Sequence, residues 1–71
     1  MTTHACLPDV GSKVELIVDL PDYNLVKGYV GSILVAYNPY EANAEKREFE
    51  VFFEKINMSV IVVEADFKLI D

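Results

Sequence analysis

Tryptophan is absent from this chain, cysteine and histidine occur once each, and only six of its 71 residues are basic. Each shortage excludes something. A lone cysteine, Cys6, forbids an internal disulfide, and neither it nor His4 has a second residue of its kind with which to build a metal cluster or a nucleophile and base. Six Lys and Arg against twelve Asp and Glu give a formal charge of −6, which disfavours nucleic acid, because phosphate backbones are bound chiefly through cations that displace counterions. No apolar stretch approaches the ~20 residues needed to cross a bilayer, so no membrane insertion is expected. Residues 1–5 lack the basic start and apolar run of a secretion signal, and a cytoplasmic location is expected. At this length there is room for one core, since so short a chain buries only about 60% of the surface its unfolded form exposes. The 52% hydrophobic content is consumed by that core. Little is left for a ligand cavity of at least about 300 Å³, and no cofactor is expected.

What is present is alternation. Residues 1–10 show no clear periodicity and read as an arm ahead of one domain over residues 11–71. From Lys13, the residues Val14, Leu16, Val18 and Leu20 fall on one face and Lys13, Glu15 and Asp19 on the other, the mark of a half-buried strand, with Ile17 as an apolar exception on the wet face. Leu20-Pro21-Asp22 ends it, and a loop of about eight residues leads to Lys27-Gly28. Gly28 suits a positive φ, while Gly31 marks a bulge or a close backbone approach. The next strand runs from about Tyr29 to Tyr37 with Gly31, Ile33 and Val35 inward, although the run Ile33 to Ala36 is apolar on both faces and leaves the register open.

Asn38-Pro39-Tyr40-Glu41 places a capping residue, a first-turn proline and an acid where each favours a helix start. The segment through Arg47 forms either one or two helical turns or a plain surface loop, because so short a helix is marginal in water. Glu48 to Glu54 then alternates strictly, with Phe49, Val51 and Phe53 inward opposite Glu48, Glu50, Phe52 and Glu54. After a turn at Lys55 to Met58, the β-branched run Ser59 to Val63 suits a strand covered on both sides. A tight turn at Glu64 to Phe67 precedes a last strand at Lys68 to Ile70. Five short strands separated by turn signals predict an all-β, small five-stranded barrel.

Gly11-Ser12-Lys13-Val14, Lys27 to Ile33, Phe49 to Phe53 and Val63 to Leu69, with Asp19-Leu20-Pro21-Asp22-Tyr23-Asn24-Leu25 between them, resemble a family of small bacterial domains of unknown function that read as SH3-like barrels. The resemblance covers roughly Gly11 to Leu69 and departs at Asn38 to Arg47, where the family has a shorter turn. Asn24 stands where glycine is usual, and asparagine tolerates the same left-handed backbone. More distantly, the order of elements is similar to the ferredoxin-docking accessory subunit of photosystem I and to a small subunit of a photosynthetic NDH complex. Ferredoxin is acidic and its docking needs basic surface, which this composition sets against. The family resemblance implies no catalytic residue and no cofactor, and it implies an accessory, antitoxin or immunity role beside a larger protein.

The residues therefore point to a non-enzymatic protein-binding module, a monomer or weak homodimer, with a ferredoxin-docking or photosynthetic-complex accessory subunit as the alternative. Phe52, an aromatic outward among Glu48 and Glu50, suits an interface anchor. Tyr23, Tyr29, Tyr37 and Tyr40 lie in or beside loops, where such aromatics either line a groove for proline-rich peptides or plug barrel ends with wet hydroxyls. The pairs Asp19 with Asp22 and Glu64 with Asp66 read as turn caps, since a hard cation wants six or more oxygen ligands, and no metal is expected.

Overall fold

Phe49, Val51 and Phe53 form the spine of the core, because strict alternation lets one face of a six-residue strand leave water while its glutamates stay wet. The computed structural model describes residues 8–38 and 40–70 of the chain. Among these, five strands form one antiparallel sheet: β1 Lys13–Leu16, β2 Val30–Tyr37, β3 Glu48–Phe53, β4 Met58–Val63 and β5 Phe67–Ile70, in the order β4-β3-β2-β1-β5. The expected all-β class holds. The sheet wraps one core in the manner of a small barrel-like domain but is not closed, since β4 pairs only with β3 and β5 only with β1. Residues 1–7, with His4 and Cys6, lie outside the described residues, whereas Asp9 and Ser12 close a turn beside Gly11, whose N–H donates to the Ile33 carbonyl at 2.8 Å.

Val14, Leu16, Ile33, Val60, Val62 and Phe67 complete the inner face, and Phe67 meets Phe49 edge-on with ring centroids 5.4 Å apart. The two glycines act as the pattern suggests. Gly28 has φ +97°, and a Cβ on Gly31 would stand 2.6 Å from Val51 Cγ1 and 2.8 Å from the Phe52 carbonyl oxygen, so β2 and β3 approach there as only glycine allows. Asn24 takes the left-handed conformation expected of it, at φ 59°.

Four expectations need correction. The first strand ends at Leu16, not Leu20: the chain bends at Ile17 and Val18, where the Ile17 N–H donates to the Asp66 carbonyl, and Val18 turns out to solvent. In its place Leu25 is fully buried, brought in by a bridge to Leu20 across the 3-10 turn Pro21–Tyr23. In β2 a bulge at Leu34 shifts the register, so Ala36 faces Phe49 while Val35 points outward opposite Glu50. The run Ser59 to Val63 is not covered on both sides, because β4 is an edge strand with Ile61 exposed. The helical alternative for Asn38 to Arg47 fails: Asn38 sits at φ 51°, left-handed where a cap needs extended backbone, and the segment runs through turns. Pro39 lies outside the described residues.

Candidate partner-binding face

Cross-strand registry builds the outer face in rows. Val35, Glu50 and Ile61 form one row across β2, β3 and β4; Tyr37, Glu48 and Val63 form the next; Lys13, Ser32, Phe52 and Ser59 form a third toward the other end of the strands. At the first row the Glu50 carboxylate is held in place. Ser59 Oγ donates to it at 2.8 Å and the Tyr37 hydroxyl at 3.3 Å. Partial burial raises the Tyr37 phenol above its ordinary pKa, and the charges of Glu50 and Glu48, with the hydrogen bond to Glu50, add to that shift. Around this fixed carboxylate Leu34 is 46% exposed and Ile61 44%, beside Val35 and Tyr37. The bulge that turns Val35 outward and the edge position of β4 create this apolar patch, and strand alternation alone gives no sign of either.

The loops add a polar clasp behind it. Arg47 pairs with Glu64 through Nε and donates from its guanidinium to the Glu41 carbonyl, and the hydrogen bond to Glu64 raises its pKa further. Asn43 Oδ1 accepts from the Glu45 N–H and the Glu41 carboxylate from the Asn43 N–H, which fixes the β2–β3 loop without a helix. Arg47, Glu64, Tyr40, Leu34 and Val10 border a groove of about 470 Å³ at this end of the sheet. One member of each carboxylate pair is a turn device, Asp19 accepting from the Lys27 N–H at 2.8 Å and Asp66 from the Val63 N–H at 3.3 Å, while Glu64 is held by Arg47. Among the described residues no three His, Cys, Asp or Glu side chains gather as metal ligands, and no helix is long and apolar enough to cross a membrane.

At the other end lies a groove of about 420 Å³ bordered by Lys13, Lys27, Lys55, Tyr29, Phe52 and Glu54, with Gly28 to Ser32 along it. Lys55 Nζ stands 5.5 Å above the centre of the Tyr29 ring, a cation–π contact. Phe52 does point outward, but it is half-buried between Ser32 and Ser59 instead of standing free among glutamates.

The residues singled out from the sequence thus divide three ways. Tyr37, Glu48 and Glu50 come together with Ile61, and Tyr40, 97% exposed, borders the groove beside Arg47 at that end; Tyr29 and Phe52 come together with the lysines; Tyr23, on its 3-10 turn, stands apart. The four tyrosines do not share one groove. Sequence reasoning passed over the lysines because positions 13, 27 and 55 are far apart in the chain and meet only through the β1–β2 and β2–β3 pairings. No protein-family model matches the chain, and no curated protein or solved structure is significantly similar to it.

Proposed function

We propose that the protein is a non-enzymatic module that binds another protein, as the small accessory, antitoxin or immunity-type partner of a larger one, through the outer face of β2, β3 and β4. The observation that carries this reading is the exposed apolar set Leu34, Val35 and Ile61 surrounding a carboxylate that two hydroxyls hold in place. Contiguous apolar surface is costly on a small acidic protein that works alone, and a fixed charge at its centre gives register to whatever covers it. The alternative, docking of ferredoxin in a photosynthetic complex, asks for broad basic surface. Three of the five lysines here converge on one groove, while Glu48 and Glu50 occupy the rest of β3's outer face, and this favours the first reading.

Ile61→Glu places a charge at the centre of the patch without touching the core. Affinity-tagged protein recovered from its native source is expected to carry a stoichiometric partner, which the Ile61→Glu variant loses at unchanged melting temperature. Wild-type protein that elutes alone, or a variant that keeps its partner, refutes the proposal. Pairing of two copies along the free β4 edge is the competing use of the same surface, and light scattering over a concentration series separates the two.

A further inference from the structure

The lysine groove at the far end of the outer face stands against the character of the chain. Half of the six basic residues of a protein with formal charge −6 border this one groove, and a single acid, Glu54, borders it with them. Elsewhere Arg47 pairs with Glu64 and Lys68 with Glu15 at 3.9 Å, whereas Lys46 on the β2–β3 loop and all three of Lys13, Lys27 and Lys55 have no ion pair among the described residues. Three like charges brought together without counter-charges repel one another, and an anion seated among them relieves that repulsion.

We infer that this groove docks an extended acidic segment of a protein partner, its carboxylates among Lys13, Lys27 and Lys55 and one of its side chains against Phe52 and Tyr29. This rests on the protein-binding reading above and gives the partner a chemistry. Four features select a short peptide over other anions. Two half-buried aromatic rings offer apolar surface that a free ion would not use and an aromatic or aliphatic side chain would. Gly28 borders the groove without a side chain, and a Cβ there would meet nothing within 4 Å, which leaves room for another backbone to run alongside. Further along β3 the outward residues are Glu50 and Glu48, so a long polyanion that leaves the groove along this strand meets carboxylates. A volume of about 420 Å³ holds a few residues of chain and not the face of a folded domain.

The probe is a blocked peptide of about seven residues, glutamates around one central tyrosine, titrated into isotopically labelled protein and followed by amide shifts. Saturable shifts confined to Gly28 to Ser32 and Phe52 to Lys55 are expected, weakening from about 50 mM to about 500 mM salt. The triple variant Lys13→Gln, Lys27→Gln, Lys55→Gln, all at exposed or groove-edge positions, is expected to bind about tenfold more weakly at unchanged melting temperature. Lys46→Gln, on the β2–β3 loop, leaves binding unchanged. The inference is overturned by equal binding of the glutamine version of the peptide, by shifts centred on Tyr37 and Ile61, or by no saturable shift at all. It is equally overturned if an oligothymidylate of about ten nucleotides displaces the peptide, or if the protein's own carboxylates fill the groove in a dimer that forms without it. Failure here with loss of the native partner in Ile61→Glu removes the acidic segment alone; the reverse outcome removes the apolar patch alone.

Discussion

The two ends of the outer face are built on the same strands and differ in almost every chemical respect. Toward Glu48 the face is apolar and acidic, with Ile61, Val35 and Tyr37 around an immobilised Glu50; toward Lys55 it is basic and aromatic, with Phe52 and Tyr29 among three lysines. Adjacent outward residues on β3, Glu50 and Phe52, mark the border, so the change takes place over two residues of one strand. The difference teaches that net charge describes this surface poorly. A chain with twice as many acids as bases still presents a basic groove, because pairing of distant segments collects the few lysines in one place.

The comparison assumes that both ends ride on one cooperative core, and the most severe change tests that. Phe49→Ala removes the ring that packs on Phe67 beneath the acidic end and is expected to cost about 3–5 kcal/mol in urea unfolding. Amide signals of both ends are then lost together at the same denaturant concentration; a basic end that outlives the acidic one divides the face into separate units. A smaller effect is expected within the basic end. Gly31→Ala drives a methyl against Val51 and the Phe52 carbonyl and is expected to cost about 1–3 kcal/mol, with the largest shifts in the groove residues. Shifts that fall mainly around Glu50 instead would move the border. The smallest effect belongs to the acidic end alone: Tyr37 ionises above the ordinary phenol range in an ultraviolet titration. Because its folded pKa is raised above the unfolded value of about 10, its contribution to stability is whole below that pH and is lost as pH rises through the higher folded value. Glu50→Gln, which removes the carboxylate hydrogen-bonded to the phenol, brings Tyr37 back toward the ordinary phenol range; an unchanged Tyr37 titration assigns the shift to burial.

Much of the fold was legible along the chain. Phe49, Val51 and Phe53 declared a half-buried strand by strict alternation, Asn24 and Gly28 announced left-handed backbone, and Gly31 a close approach. Alternation misled wherever the backbone left its regular path. Val18 follows the pattern in sequence and faces water because the chain bends after Leu16, and Val35 does so because of a bulge. Of the candidate site, Glu48 and Glu50 were readable as outward residues of one strand, but Tyr37 was not readable beside them, since alternation from Gly31, Ile33 and Val35 inward puts it on the other face and the bulge brings it out. Ile61 was not, since four successive β-branched residues look alike whether a strand lies inside a sheet or at its edge.

By itself the sequence determined that this is a small all-β domain with one core and a strongly acidic skin, because residue periodicity and charge count are local or additive properties. The tertiary structure alone decided which residues share a surface. A bulge of one residue exchanges the faces of a strand, an edge position uncovers it, and strand registry sets Lys13, Lys27 and Lys55 around Phe52, none of which can be read from neighbours along the chain.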